Sequence, residues 1–312
     1  MKRTSAAGLA VLVVLVAGGL VAPKWLLSLA TLSAANGLVS LGIVLMMRSG
    51  VVSFGQGLVF AAGGYAAALL SNKLGVSDAL LLAAAGGAAA VALAAPFAPL
   101  LARYRGIFFA MLTLALSMVL YGVLVKSESL GGSDGFNMRR PTLLGFAIPD
   151  AWSGYALYAL VVAIATLLAV TARVYFDSAR GLVALAIREN ELRVEYLGAS
   201  VRGVMALDFV FAAFLGGVGG ALAVLALGHI EPNFSYWTTS GEFVFVSILA
   251  GHYSVAAVFV ASLALELVRS FSSAYFPNTW QLALGLFLLV VIRFLPKGIG
   301  SLLGSLPRRA AP

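Results

Sequence analysis

The stretch "SARGLVALAIRENELRVEYLGASVRG", residues 178–203, places seven charged side chains between two almost wholly apolar segments. The whole chain of 312 residues is 62% hydrophobic and only 10% charged, with a mean hydropathy of +1.03. A helix needs about twenty apolar residues to cross the roughly 30 Å of hydrocarbon in a bilayer. Runs of that length flank the stretch and recur along the chain, so the stretch interrupts a membrane protein.

The apolar runs define the fold class. Lipid cannot satisfy an exposed peptide group, so spanning segments are helices or strands of closed barrels. Barrel strands alternate polar and apolar residues, and these runs do not. We therefore predict an all-α, polytopic helical membrane protein that forms one transmembrane domain over residues 1–312, with eight to ten true spans. The apolar segments are 5–23, 25–47, 51–71, 78–101, 106–125, 152–173, 204–227, 238–250, 254–270 and 279–295.

The distribution of basic residues predicts the orientation. If the N-terminus is cytoplasmic and all segments cross, fourteen Lys and Arg residues lie inside and six lie outside. This is the asymmetry of the positive-inside rule. Both termini and a polar segment at 174–203 are then cytoplasmic, and a loop at 126–151 is external. We interpret the first segment as a retained span rather than a cleaved signal peptide.

The composition excludes several classes of function. The chain has no cysteine, which excludes disulfides and thiolate metal sites. His229 and His252 are too few for a histidine metal cluster or for a nucleophile–base–orienter set. No Walker A sequence is present, so the chain cannot bind ATP by that route. We expect no catalytic residue, metal or cofactor in this chain, and basic loops rather than a nucleic-acid site explain the net charge of +8.

The polar stretch itself predicts an amphipathic helix along the cytoplasmic face. Asp177 or Ser178 can cap its start, and Gly198 can end it. Charged pairs at helical spacing, Glu189–Arg193 and Arg188–Glu191, favour an exposed helix. Apolar residues recur at near-helical spacing at Val183, Ile187, Val194 and Leu197. Such a helix either connects two spans at the interface or docks into a groove of a soluble partner.

This stretch resembles the cytoplasmic coupling segment of permease subunits from bacterial branched-chain amino acid ABC importers. The matching residues are Arg180, Gly181, Leu182, Ala184, Leu185, Ala186, Ile187, Arg188, Glu189, Asn190, Glu191, Leu197 and Gly198. Further stretches resemble the family in the same order along the chain. They are "LVSLGIVLMMRSGVVSFGQGLVFAAGGYAAALL" at 38–70, "RYRGIFFAMLTLALS" at 103–117, "GGSDGF" at 131–136 and "FLPKGIG" at 294–300.

The resemblance implies a permease subunit of a bacterial inner membrane that is not itself an enzyme. Its implied partners are a second, homologous permease subunit, two ABC ATPase subunits that hold ATP and Mg, and an extracytoplasmic solute-binding protein. The residues implied to couple the permease to the ATPase subunits are Arg180, Gly181, Leu182, Ala186, Ile187, Arg188, Glu189, Asn190, Glu191 and Gly198.

Two glycine-rich stretches carry further expectations. Residues near the third segment are expected to line the translocation path, together with a carboxylate in the eighth; they are Ser53, Gly55, Gln56, Gly57, Gly64, Tyr65 and Glu242. The alternative for the glycines is close helix packing. An external turn is expected to contact the binding protein, or else to be an ordinary loop; it is formed by Gly131, Gly132, Ser133, Asp134 and Gly135.

Three smaller features also carry expectations. Glu266 is expected to pair with Arg269, three residues further on. Asp208 is expected to meet an interfacial or inter-subunit partner. The glycines of "FLGGVGGAL", 214–222, are typical of close helix packing.

The solute stays open at this point. Branched-chain or related small neutral amino acids are implied by the resemblance, and urea, short amides or aromatic acids are alternatives. The usual Gly-Gly-x-Gly turn is replaced here by Ala250-Gly251-His252-Tyr253-Ser254, and Phe108 stands in place of the usual Tyr. Rival functions are a stand-alone secondary transporter or channel, which would favour ionisable groups at mid-membrane, a membrane enzyme, and an assembly subunit.

Overall fold

The computed structural model describes residues 2–303 except 144, 147, 148, 253, 278, 296 and 297, with backbone alone for 2–5, 150, 151, 292, 302 and 303. Tyr253, Pro296, Lys297 and the basic tail at 304–312 therefore lie outside the described residues. The described chain is mostly helical. Its helices are α1 Lys2–Gly19, α2 Lys24–Met47, α3 Gln56–Leu74, α4 Ala79–Ala94, α5 Ala98–Leu101, α6 Gly106–Lys126, α7 Asp150–Phe176, α8 Ala179–Glu189, α9 Glu191–Tyr196, α10 Val201–Leu227, α11 Trp237–Ala250, α12 Val255–Tyr275, α13 Trp280–Phe294 and α14 Gly300–Leu303.

Five helices of the described chain are long and apolar enough to cross a membrane. They are α2, α6, α7 from Trp152, α10 and α12. Shorter apolar helices lie within α1, α4 and α13. The architecture is that of a polytopic helical membrane protein, as predicted, and the count of about ten spans is not confirmed.

Two of the predicted apolar segments, the third and the fourth, are not single continuous helices. The third becomes helical only at Gln56, because residues 51–55 are not helical and follow Gly50, whose φ is +84°. The fourth ends as α4 at Ala94 and resumes in the short α5. Pro96 lies in this gap and Pro99 in the first turn of α5, and proline lacks the N–H that an uninterrupted helix requires.

The core is built around α2 and α10, which pack against each other along their length. Small residues allow backbones to approach closely there. A Cβ at Gly217 of α10 would lie 2.6 Å from the carbonyl oxygen of Gly86 in α4, and one at Gly219 would lie 2.6 Å from that of Ala35 in α2. The predicted close packing of 214–222 is therefore confirmed.

A small antiparallel pair joins the polar loop at 126–151 to the end of α10, which amends the all-α prediction. Strand β1, Phe136–Asn137, pairs with strand β2, His229–Ile230. These strands mark one end of the helical bundle, called the far end below. The near end is the opposite one, where α7 runs into α8 and α9.

Candidate functional site

The polar stretch at the near end forms two helices, not the single helix that was predicted. Asn190 separates α8 from α9, with extended dihedral angles of φ −159° and ψ 100°. Its side chain accepts a hydrogen bond from the backbone N–H of Arg193 at 3.0 Å and so caps α9. An asparagine gains more from capping than from continuing a helix, which explains the break.

The start of α8 follows a sharp turn at the end of α7. Ser178 caps α8, as predicted, by accepting from the N–H of Gly181 at 3.3 Å. Gly181 lies against the carbonyl oxygens of Tyr175 and Phe176, and a Cβ there would be 2.8 Å from the latter. Because the contacting atoms are backbone, this position accepts only glycine without a shift of α7 or α8.

The two helices present one buried face and one exposed face. Gly181, Ile187 and Val194 are buried against the bundle. The other predicted coupling residues are exposed, apart from the half-buried Glu191; they are Arg180, Leu182, Ala186, Arg188, Glu189, Asn190 and Gly198. Large apolar side chains are also exposed on this segment, at Leu182, Leu192, Tyr196 and Leu197. We call these four residues, with the charged side chains around them, the near-end docking surface.

An ion pair holds α9 to the loop before α6. Arg105 donates from Nη2 to Glu191 at 2.6 Å and from Nε at 3.0 Å, in a two-pronged contact. Arg105 also donates to the carbonyl oxygen of Ala102 at 2.8 Å. Glu191 thus pairs outside its own helix, rather than with Arg188 as predicted, because the break at Asn190 removes the helical spacing.

A buried arginine joins α2 to the junction of α7 and α8. Arg48 follows the last residue of α2 and is only 8% exposed. Its Nη2 donates to the carbonyl oxygen of Phe176 at 3.4 Å, and its guanidinium lies 4.3 Å from the centre of the Phe176 ring. Burial, and after it the charge of Arg173, lowers the pKa of Arg48. Arginine remains charged nonetheless, so it needs the negative charges nearby.

One of those negative charges is Asp208, in α10. Asp208 is 1% exposed, and the hydroxyl of Tyr175 donates to its Oδ1 at 2.5 Å. Its charge offsets the cost of burying Arg48. Asp208 was expected to meet an interfacial or inter-subunit partner; the structure gives it Tyr175 of the same chain, at the near end, and an inter-subunit partner stays a prediction. We call Arg48, Tyr175, Phe176 and Asp208 the near-end hub.

The α11–α12 turn also reaches this region. Burial, followed by the charges of Arg188 and Arg48, lowers the pKa of His252 to about 4. His252 is therefore neutral at pH 7. Gly50 packs against Arg188, whose Cγ would lie 3.4 Å from a Cβ at that position. The near-end hub, α8, the turn after α2 and the α11–α12 turn thus meet at one place.

Two helices begin in the interior of the bundle and touch there. Gly57, at the start of α3, donates its N–H to Ser240, in the first turn of α11, at 2.9 Å. Ser117, halfway along α6, donates to the carbonyl oxygen of Ser235 at 2.7 Å. The N–H of Phe54 donates to Thr113, also in α6, at 3.2 Å. Non-helical backbone at this depth is tolerated because neighbouring side chains satisfy its polar groups.

The residues expected to line a translocation path lie mostly around this contact. They are buried in the packing of α3 against α10 and α11, at Ser53, Gly55, Gln56, Gly57, Gly64 and Tyr65. Gln56 is 2% exposed, and its Oε1 has no hydrogen-bond partner within the described chain. The same holds for the hydroxyl of Tyr65.

Glu242 lies apart from this contact, among charged residues of α11 and α12. Arg269 donates to Glu242 at 3.0 Å. The predicted partner of Arg269 was Glu266; the structure instead gives Arg269 a partner on the neighbouring helix. Glu266 and Asn36 line the same small cavity as Glu242.

The far-end turn at 131–135 is shaped by its glycines. Gly131, Gly132 and Gly135 all have positive φ values, from 57° to 90°. Gly135 approaches the backbone of Ile230, in β2, where a side chain would collide. The turn is therefore fixed against the end of α10, with Ser133 donating to Asp134 at 3.0 Å.

Sequence reasoning did not find the near-end hub as a unit. Arg48 and Tyr175 sit at the ends of apolar runs, 127 positions apart, and look like ordinary interfacial residues. The exposed Leu192 and Tyr196 were also missed, because helical periodicity placed the apolar face inward. In the part of the chain that the structure describes, no group of three or more His, Cys, Asp or Glu residues could hold a metal ion.

Comparisons with known proteins agree with this architecture. The family described as "Branched-chain amino acid transport system / permease component" matches residues 25–293. The high-affinity branched-chain amino acid transport system permease protein LivM of Escherichia coli (strain K12) is 26% identical over 315 residues, covering 93% of this chain and 73% of that protein. LivM of Salmonella typhimurium is 25% identical over 316 residues, with the same coverage. No solved structure matches the chain significantly.

The family match covers most of the chain, including both the near-end and far-end elements. The chain therefore belongs to the family of permease components of branched-chain amino acid transport systems. It is a transport protein of a membrane, and its relatives are permease components rather than enzymes.

Proposed function

We propose that this chain is the transmembrane subunit of an ATP-driven importer of branched-chain or related small neutral amino acids. The single observation that carries the proposal is the near-end docking surface, which exposes four large apolar side chains among charges. In this proposal the near end is cytoplasmic, both termini lie on that side, and the membrane is the bacterial inner membrane.

The near-end docking surface has the composition of a helix that fits a groove on a soluble partner. Tyr196 is 89% exposed and Leu197 is 81% exposed. Apolar anchors at the centre and charges at the rim are what such recognition requires. The partner we infer is an ABC ATPase subunit, one on each of two homologous permease chains, with ATP and Mg held by the ATPases.

The near-end hub supplies the path for mechanical coupling. Gly181 packs α8 closely against the end of α7, beside the carbonyl oxygen of Phe176, so we expect the two to move together. Phe176 is held to α2 through Arg48, and Tyr175 is held to α10 through Asp208. We infer that a displacement of α8 by the ATPase reaches the two core helices through these contacts.

The contact of α3 with α11 is the proposed region of the translocation path. The N-terminal ends of both helices meet at Gly57 and Ser240, and helix N-termini favour negative charge such as a carboxylate. Gln56 adds a buried oxygen without a partner, which suits a donor such as an ammonium group. A zwitterionic solute fits both features. Glu242, which lies apart from this contact, stays a separate candidate for a residue that lines the translocation path.

The solute-binding protein is proposed to dock at the far end. The turn at 131–135 packs against β2 through Gly135, so it offers a contact surface at the far end. Because that protein would select the cargo, its ligand decides between branched-chain amino acids and the alternatives of urea, short amides or aromatic acids. These alternatives stay open because the sequence at 250–254 departs from the Gly-Gly-x-Gly turn that is usual in the family.

The docking surface is tested by a charge placed at its most exposed apolar residue. Tyr196→Asp should abolish co-purification of the ATPase and uptake of leucine into proteoliposomes, while the folded chain remains at the normal level. Tyr275→Asp is the matched control, because Tyr275 is 74% exposed at the far end. Full uptake by Tyr196→Asp would remove the docking proposal. ATP-independent uptake by the wild-type chain alone would instead favour a secondary transporter or channel.

A further inference from the structure

An apolar cleft of about 560 Å³ opens on the side of the bundle. One wall is formed by α1 and α7, and the other by α12. The pairs of helices are held close by small residues: Gly8 of α1 lies against Val170, and Gly37 of α2 lies against Phe259. Since α7 and α12 make little contact with each other, a gap remains between them, with Ala30 and Ala34 of α2 as its floor.

The cleft runs inward from the near end of the bundle. Ala7, Arg173 and Ser254 line it at that end, and Tyr158 lines it deeper in. The fifteen positions from Arg173 to Tyr158 correspond to about 22 Å along α7. One leaflet of a bilayer has about 15 Å of hydrocarbon, so the cleft is long enough to accept an extended acyl chain.

The charged group of the cleft lies at its mouth, whereas the deeper polar lining consists of the hydroxyl groups of Ser33, Tyr158 and Thr166. Among the lining residues that the structure describes, Arg173 is the charged one. Its Nε donates to Asp177 at 3.2 Å, and an arginine has five donors in all. The side chain of Arg173 is 38% exposed and lies in the last turn of α7, at the end of a helix long enough to cross a membrane.

We propose that this cleft binds a phospholipid of the near-end leaflet, with one acyl chain along Ala165 and Phe259 and the phosphate on Arg173. Arginine binds phosphate through charge-assisted hydrogen bonds, and the mostly apolar walls suit hydrocarbon. An amino acid solute fits poorly, because the described lining of the deep part offers hydroxyl groups but no charged partner for its ammonium and carboxylate groups. The proposal does not depend on the proposed transport function.

The test compares lipid retention by the full-length chain and two pairs of variants. Each protein is purified from membranes in mild detergent, returned to vesicles of phosphatidylethanolamine and phosphatidylglycerol, and examined by native mass spectrometry. Ala256→Trp obstructs the cleft near its mouth, since Ala256 is an exposed residue of its lining close to Ser254. Ala88→Trp is the matched control, on the exposed face of α4.

The wild-type chain and Ala88→Trp should each retain one more phospholipid than Ala256→Trp. Arg173→Gln should exchange that lipid about tenfold faster, the effect of losing one charge-assisted contact. Arg103→Gln, in an exposed turn at the near end, should leave the rate of lipid exchange unchanged. Equal lipid retention by wild type and Ala256→Trp would overturn the proposal, as would displacement of the lipid by saturating leucine.

A second experiment distinguishes a phospholipid in the cleft from a second permease chain that covers it. The chain has no cysteine, so Ala256→Cys introduces a unique thiol. We expect a thiol-reactive cross-linker at this position to capture phosphatidylethanolamine, through its amine. Capture of a co-purifying permease chain instead would overturn the proposal.

Discussion

Helices α10 and α6 are equally apolar yet lie in different surroundings. The most apolar windows of both have a mean hydropathy of 2.3, but 72% of that window is buried in α10 and only 22% in α6. Helix α2 is less apolar, at 1.8, and is the most buried of the five, at 83%. Hydropathy therefore identifies a span without saying whether it faces protein or lipid.

Side-chain size separates the two kinds of helix. The interior helix α10 has four glycines at 216–220, and each of them meets a neighbouring helix where a Cβ would lie within 3.0 Å. Gly122 of α6 has no such neighbour within 4 Å. In a membrane, burial of apolar surface gives little driving force between helices, so close contact through small residues decides which helices form the core.

The strongest test of this comparison adds a side chain to each helix. Gly217→Leu should destabilise the fold by about 3 kcal/mol, because the new atoms meet the backbone of α4. Gly122→Leu should leave the melting temperature unchanged. Both are measured by thermal unfolding monitored by size-exclusion chromatography. If the two variants melt alike, packing by small residues does not define the core.

The second test compares a buried polar contact with an exposed polar side chain. Tyr175→Phe removes a hydrogen bond to a carboxylate that is 1% exposed, which should cost about 2 kcal/mol. It should also reduce the solute transported per ATP hydrolysed, if the near-end hub transmits motion. Tyr275→Phe, at a residue 74% exposed at the far end, is the control. Reduced stability with an unchanged transport ratio would make the hub structural only.

A smaller effect is expected at the exposed ion pair. Glu191→Gln breaks the contact with Arg105, but the two side chains are 38% and 30% exposed. Solvent and salt screen such a pair, so we expect a loss of about 0.5 kcal/mol that disappears at high salt. Glu195→Gln, an exposed neighbour on α9, should have no measurable effect. A loss as large as that of Tyr175→Phe would show that exposure does not rank these contacts.

At pH 7 the smallest effect should come from the half-buried His252, whose contribution changes only at lower pH. Its pKa is about 4 in the folded chain and 6.5 ordinarily, so the unfolded chain binds the proton first as pH falls. Stability from this residue is therefore complete above pH 6.5 and is lost progressively down to about pH 4. His252→Gln should flatten this part of the pH dependence of the melting temperature. Identical pH curves for wild type and His252→Gln would contradict this assignment.

Several elements of the fold were predictable because they depend on neighbours in the chain. The apolar runs, the caps at Ser178 and Gly198, and the short eighth segment all follow from local sequence. The break at Asn190 was not predicted, because helix periodicity continues through it. Only the capping of α9 shows that asparagine prefers the break here.

The near-end hub shows why much of the candidate site could not be predicted. Arg48, Tyr175 and Asp208 belong to three helices, and no spacing relates them. Burial of Arg48 and Asp208 is tolerated only because their opposite charges lie near each other. This proximity exists only after the helices pack. The pairing of Arg269 with Glu242 instead of Glu266 has the same cause.

The sequence by itself determined the membrane class of this protein, its polar segment at 174–203 and its family. These follow from hydropathy, charge and motifs, which are properties of the chain before it folds. Tertiary structure alone decided which helices form the core, which charges pair, where α8 and α9 expose apolar side chains, and where a cleft remains between α7 and α12. These depend on distances between residues that are remote in the chain, and only packing sets such distances.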